Sequence, residues 1–180
     1  MSARDTVEIG LNRFARRGYD LDEVSIVPSR RTRDMEDVST AWQIDAFRFD
    51  LPLVTSPSDA VISPATAIAV GEAGGLGVLN AEGLWTRYDD PTEVYRQLRD
   101  AASPETGPPT ALLQQVYAEP VKPDLITARI KEMRDADVTT AVRVSPQHTV
   151  QLAPTVLAAG VDLLVIQGTI VSAEHVTKGG

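Results

Sequence analysis

The sequence predicts an α/β protein built on a parallel sheet, and three observations predict it. First, residues 51–79 read as strand, polar loop, helix and strand. LPLV is a short apolar run that stops at Thr55-Ser56-Pro57-Ser58-Asp59, and LGVL resumes one after an intervening helix. A strand, crossover helix and strand in sequence form a parallel unit whose crossover is right-handed. Second, the strand–helix alternation continues down the chain, and its strands are continuously apolar. Such strands need both faces covered, as in a doubly wound sheet or a (β/α)8 barrel. Third, a closed eight-stranded barrel takes ~250 residues, whereas this chain has 180. The expected fold is therefore a parallel (β/α)8 TIM-barrel type, with this chain covering about the first four βα units.

The elements follow in order. Residues 1–17 are short, polar and basic, and read as a loosely held N-terminal arm; the boundary is set at 1–18 and 19–180. YDLDEVSIV alternates charge with apolar residues and breaks at Pro28-Ser29. The cluster Arg30, Arg31 and Arg33 that follows is either a solvated loop or an anion contact. Residues 38–49 carry Trp42, Ile44, Phe47 and Phe49, the composition of an extended segment lying under the sheet, with Trp42 and Trp85 read as packing residues. A first core strand is expected near 52–55. Ser63 caps the next helix, with Pro64 at its first position, and Gly74-Gly75 stops it with a left-handed cap. A second strand is expected at 76–79.

Asp90-Pro91-Thr92-Glu93 has the spacing of a capping box, the acid at the cap and Glu93 reaching back. SPETGPP, residues 103–109, is a turn. Helices then follow over 111–117 and from Pro123. VTTAVRV supplies a third strand, ending near 144, and Ser145-Pro146 starts a helix over 146–159. Pro154 should kink or split that helix. VDLLVI, residues 161–166, is the fourth strand, ending in Gln167-Gly168-Thr169, and Ser172-Ala173-Glu174 starts a further helix.

Composition narrows the function. A formal charge of −8 argues against nucleic acid as a partner. No run approaches the ~20 apolar residues that span a bilayer. Cysteine is absent, which removes disulfides, thiolate nucleophiles and cysteine metal sites from this chain and fits a cytoplasmic protein. His148 and His175 show no metal-ligand spacing, so no metal is expected. In α/β proteins the chemistry collects in loops at the carboxyl ends of the strands. Here these are the polar segments 56–59 and 80–83, and the run after residue 166.

DEVSIVPSRRTR, LPLVTSPSDAV and EAGGLGVLN together resemble the amino-terminal signature of the IMP dehydrogenase and GMP reductase family, in particular its IMP dehydrogenase-related branch. The resemblance runs over about 19–176. It rests on the order strand, Ser-Pro-x-Asp, helix, Gly-Gly-x-Gly, strand. It implies a purine nucleotide (IMP, XMP or GMP) bound at the carboxyl ends of the strands, oxidised or reduced with NAD or NADP.

Ser56, Ser58 and Asp59 would lie beside the nucleotide's ribose and base. Ser58 stands where the family usually has a methionine that packs on the purine. Asn80, Gln167, Gly168 and Thr169 would lie at the cofactor. Asn80 stands where a histidine is frequent, and Gln167 where the dehydrogenases carry an aspartate. The 84–137 connection is too short for the regulatory domain pair that many members insert. No catalytic residue is expected in this chain, because the family's nucleophilic cysteine lies in the second half. The Ser56–Asp59 motif also has a plainer reading, as a turn that caps the next helix. The alternative functions are a nucleotide-binding or regulatory barrel without efficient catalysis, and a GMP reductase. A half barrel exposes the edges of its first and fourth strands, so a homo-oligomer is expected.

Overall fold

In the computed structural model, residues 6–28, 31–102 and 109–168 are described. The expectations for Arg30, for the turn at 103–108, for Thr169 and for a helix at 172–174 fall outside them. The chain divides into two compact units, Met1–Ser39 and Thr40–Gly180.

In the first unit the expected loose arm is a hairpin. β1 (Thr6–Gly10) and β2 (Arg13–Arg16) pair antiparallel, with Thr6 opposite Arg16 and Val7 opposite Ala15. Asn12 turns the chain at φ 59° and donates its N–H to Glu8 Oε1. Asparagine tolerates that left-handed conformation better than most residues. The alternating TVEIG and RFAR runs on either side supply the strands.

The second unit opens with another hairpin, β3 (Trp42–Ile44) and β4 (Phe47–Phe49). The Trp42 and Phe49 rings stack 4.6 Å apart, and Trp42 Nε1 donates to the Leu51 carbonyl. The hairpin lies on one face of the sheet, as its composition implied: Phe49 is buried with Leu76, Val78 and Ala141, and Trp42 and Phe47 pack against that group.

The first core strand is much reduced. Where residues 52–55 were expected to form a strand, Val54 makes a single parallel bridge to Leu76. Pro52 has no N–H to give, Leu53 N–H bonds back to Leu51, and Thr55 Oγ1, a side-chain atom, accepts the N–H of Val78. The remaining contacts, Leu51 to Gly74, Leu76 to Leu53 and Thr55 to Leu76, hold the segment alongside without a full ladder.

The three true strands are β5 (Val78–Asn80), β6 (Ala141–Val144) and β7 (Leu163–Ile166). All pair in parallel, in the order β5-β6-β7. With the Val54 segment beside Leu76, four parallel segments therefore follow one another in chain order with no reversal. Strand alternation separates two faces. Leu76, Val78, Ala141, Leu163 and Val165 point to the hairpin side. Leu79, Val142, Val144 and Leu164 point to the helices, where they pack with Ile126, Ile130, Met133 and Val156. Asp162 Oδ2 accepts from both the N–H and hydroxyl of Thr140, while Thr140 Oγ1 accepts the Asp162 N–H. This exchange fixes the starts of β6 and β7 side by side.

The helices are α1 (Pro64–Glu72), α2 (Thr92–Ala101), α3 (Thr110–Ala118), α4 (Pro123–Asp135) and α5 (Thr149–Ala158). Ser63 caps α1 by accepting the Thr66 N–H at 3.0 Å, and Gly74 follows the helix at φ 87°, both as read from the sequence.

Three readings are corrected. Only half of the capping box forms. Asp90 Oδ1 accepts the Thr92 N–H, but Glu93 turns forward to Arg96 and Gln97, which hold its carboxyl down to about 2. A charged guanidinium three residues on outcompetes a neutral backbone N–H. The fifth helix starts at Thr149, three residues late, because Ser145 and residues 146–148 form a separate turn closed by Ser145 and His148. Pro154 sits inside α5 without splitting it. The carbonyl it deprives of a donor belongs to Val150, which is exposed, so water can serve it.

Candidate functional site

The carboxyl ends of the parallel segments lie at Thr55, Asn80, Val144 and Ile166. On the hairpin side of the sheet the strands, the 54–57 segment and Ile44 enclose an open concavity of about 550 Å³. Its walls are mostly apolar: Ile44, Val54, Leu76, Val78, Leu163 and Val165. Thr55, Ser56 and Gln167 supply polar groups. An apolar cleft with a few convergent polar groups is the usual form of a small-molecule site. The structure thus brings together Ser56 and Gln167, the first expected at the purine nucleotide and the second at the cofactor.

Asn80 and Arg143 are register partners and share this sheet face, one step beyond Val78 and Ala141. Arg143 reaches across the strand ends. Its Nη2 and Nε donate to the Gln167 carbonyl at 2.7 and 3.1 Å, and its Nη1 donates to Asn80 Oδ1 at 3.4 Å. Asn80 Oδ1 also accepts the Glu82 N–H at 3.1 Å. The counter-charge is Glu82, 3.7 Å from Arg143 Nη1.

Burial works against ionisation of Glu82. The bonds from Ser145 and His148 and the charge of Arg143 outweigh it and hold the carboxyl below its ordinary value. Its Oε1 accepts the Ser145 N–H at 2.7 Å, and its Oε2 lies 3.3 Å from His148 Nδ1. One guanidinium and one carboxylate therefore join the ends of β5, β6 and β7. Sequence reasoning singled out neither residue, although Glu82 falls within the polar 80–83 segment. The available signal was a lone arginine within an otherwise apolar strand, where a charge is costly unless partnered.

Ser58 and Asp59 are placed differently. Ser58 is half-buried and its carbonyl accepts from Val61 and Ile62 N–H, so it is the pivot of the turn into α1. It does not line the concavity. The Asp59 carboxylate turns away from the sheet face. Its Oδ2 accepts the Leu84 N–H at 3.1 Å and the Tyr117 hydroxyl at 2.5 Å, while the Tyr95 hydroxyl donates to its carbonyl.

Burial pushes the Asp59 carboxyl up, and the bonds from Tyr117 and Leu84 and the charge of Arg87 pull part of the way back. Burial and the neighbouring Asp59 charge raise the Tyr95 phenol to about 12, so it stays a donor. Gly83 makes room for this knot, since a Cβ there would lie 2.0 Å from Asp59 Oδ1. Arg87 adds bonds to the carbonyls of Glu82, Tyr117 and Glu119. Asp59 thus clamps the first loop to the 84–122 connection. The cap of α1, the plainer role the sequence allowed this motif, falls to Ser63 instead.

Gly168 is exposed beyond Gln167. Among the described residues no group of histidine, cysteine, aspartate and glutamate could hold a metal ion, and no helix is long and apolar enough to cross a membrane.

The sequence profile of the IMP dehydrogenase / GMP reductase domain matches residues 18–178. An "uncharacterized oxidoreductase" of Mycolicibacterium smegmatis is 56% identical over 176 residues, covering 97% of this chain and 47% of that protein. One of Mycobacterium tuberculosis is 57% identical over the same coverage. Inosine-5'-monophosphate dehydrogenase of Streptococcus pyogenes is 30% identical over 69 residues, 38% of this chain and 14% of that one. A crystal structure of an IMP dehydrogenase/GMP reductase-like protein from Corynebacterium glutamicum superposes with a TM-score of 0.83 at 50% identity, over 96% of this chain and 47% of the other. The chain spans about half the length of these full-coverage relatives.

Proposed function

The chain belongs to the IMP dehydrogenase / GMP reductase family, and from that premise we propose that it supplies the first half of a purine-nucleotide oxidoreductase converting IMP to XMP with NAD. The observation that carries this reading is the concavity on the hairpin side of the parallel sheet, which joins Ser56 on the first loop to Gln167 after the fourth segment. Four parallel segments in unbroken chain order support a (β/α)8 barrel in which this chain contributes about four βα units, with no inserted regulatory domain pair.

The size of the concavity fits a nucleotide-scale ligand. Ser56 would face the purine nucleotide, and Asn80, Gln167 and Gly168 would face the nicotinamide cofactor. When bound, that cofactor supplies the hydride acceptor. The residues of this chain bind and orient. The apolar strand residues Leu76, Val78, Leu163 and Val165 exclude water from one side of the ligand. Arg143 fixes the loop after β7 by holding the Gln167 carbonyl. The chain contains no cysteine, so a thiolate attacking the purine would come from the remainder of the enzyme. We assign Ser58 and Asp59 to shaping the first loop rather than to direct ligand contact.

A second reading has specific support. Ser58 cannot stack on a purine, and Gln167 carries no charge. Both features favour a nucleotide-binding barrel with weak chemistry, or one running in the GMP reductase direction. Steady-state kinetics on the full-length protein decide between them. NAD-dependent oxidation of IMP supports the first reading. NADPH-dependent consumption of GMP, or nucleotide binding without turnover, supports the second. Failure to bind any purine nucleotide overturns both.

A further inference from the structure

Beside the concavity, where Asn80 and Arg143 stand opposite each other at the ends of β5 and β6, the polar groups have a definite hydrogen-bond polarity. Asn80 Oδ1 is engaged by the Glu82 N–H and by Arg143, so the amide's acceptor is spent and its Nδ2 donors remain. The Gln167 carbonyl, the neighbouring acceptor, takes two bonds from the same guanidinium. Arg143 has further N–H donors on Nη1 and Nη2 beyond those it uses on Gln167 and Asn80. Glu82 sits at 3.7 Å and balances the charge, and its own oxygens are directed to Ser145 and His148. Net charge at this point is therefore small, and what Asn80 and Arg143 offer a ligand is donors. A guanidinium fixed by a carbonyl and a carboxylate is also preorganised, so it loses little freedom on binding.

We infer that Arg143 and Asn80 form an acceptor-oxygen subsite: the ligand group seated between the ends of β5 and β6 is a phosphoryl or carboxamide oxygen and not a hydroxyl donor. The inference rests on the reading that this sheet face binds the nucleotide cofactor, which supplies the choice of probes. A ligand presenting a hydroxyl proton to Asn80 Nδ2 and Arg143 would meet a donor at each, and a buried donor without an acceptor is costly. An oxygen acceptor completes both groups at once.

The test uses the full-length protein labelled with nitrogen-15, observing the Arg143 Nε–H resonance, which an Arg143→Lys variant assigns by its disappearance. Orthophosphate and nicotinamide are titrated separately. A saturable shift with orthophosphate identifies a phosphoryl oxygen, and one with nicotinamide a carboxamide oxygen; either supports the subsite. Asn80→Asp then replaces donors by an acceptor at unchanged size. It is expected to weaken the effective probe by about tenfold or more, the scale of one charge-assisted hydrogen bond, while the melting temperature marks that the fold persists. No shift with either probe, or an Asn80→Asp affinity within about twofold of wild type, overturns the inference. A probe shift in a protein that binds no purine nucleotide overturns the oxidoreductase reading and leaves the subsite standing.

Discussion

Replacing Asp59 by Ala separates a clamp from a ligand contact. In the folded chain the Asp59 carboxylate accepts from Leu84 N–H and Tyr117 hydroxyl. Leu84 is 1% exposed, so its N–H has no water to turn to, and leaving such a donor unpaired costs ~1–3 kcal/mol. The Tyr117 bond to an ionised group is worth ~1.5–3 kcal/mol, toward the low end because Tyr117 is 37% exposed. Removing a half-buried charge returns part of this. The expected net loss is roughly 2–4 kcal/mol, or about 5–15 °C in melting temperature for a chain of this size.

Urea denaturation of Asp59→Ala, Tyr117→Phe and the double variant forms a cycle, and a coupling of about 1–2 kcal/mol is expected between the two side chains. The pH dependence has a definite sign. Burial raises the folded carboxyl above its ordinary 3.8. Between that value and the raised one the folded state binds more protons than the unfolded state. Stability therefore falls as pH rises through that window, and is level above it. Asp59→Asn removes this slope. The reasoning fails if Asp59→Ala melts within about 0.5 kcal/mol of wild type while purine-nucleotide affinity of the full-length protein collapses, which is the behaviour of a ligand residue.

Further outcomes follow from the same geometry. Glu82→Gln should cost about 1–3 kcal/mol near neutral pH through the Ser145 and Arg143 contacts. Because the folded carboxyl lies below its ordinary 4.5, this stabilisation is complete above 4.5 and is lost as pH falls toward the folded value; parallel melts of both proteins from pH 7 to 3 should converge. Gly83→Ala places a Cβ 2.0 Å from Asp59 Oδ1 and should destabilise by about 1–3 kcal/mol. The loss should largely vanish in an Asp59→Ala background, and an undiminished loss would disprove the close-approach argument. The 180-residue chain should associate, since Leu53, Val54 and Ile166, on the outermost parallel segments, are 45%, 50% and 56% exposed. Light scattering after gel filtration is the measurement, and a concentration-independent monomer with a cooperative melt would disprove it.

Local chemistry was legible wherever a short-range rule governs the backbone. Ser63-Pro64 and Gly74 set the ends of α1, and short runs rich in apolar and β-branched residues located β5, β6 and β7 to within three residues. The aromatic residues of 42–49 were recognised as an underlay of the sheet. Even local rules gave way where a stronger competitor stood nearby. Arg96 drew Glu93 out of the capping box, and Thr55 supplied from its side chain an acceptor that a strand would supply from its backbone.

The candidate site was legible as a location and illegible as an arrangement. The sequence put Ser56, Asn80 and Gln167 in loops at strand ends, and a parallel sheet brings all such loops to one edge. The direction each side chain takes depends on partners distant in sequence: Tyr117 is 58 residues from Asp59, and Arg143 is 63 from Asn80. The sequence by itself determined the succession of strands and helices, since hydrophobic period and capping act within a few residues. Only the tertiary structure decided that Asp59 clamps a loop and that Arg143 and Glu82 stand at the site. A charged side chain commits to whichever opposite charge or orphaned hydrogen-bond group folding brings within a few ångströms, and that neighbour is set by the packing of the whole sheet.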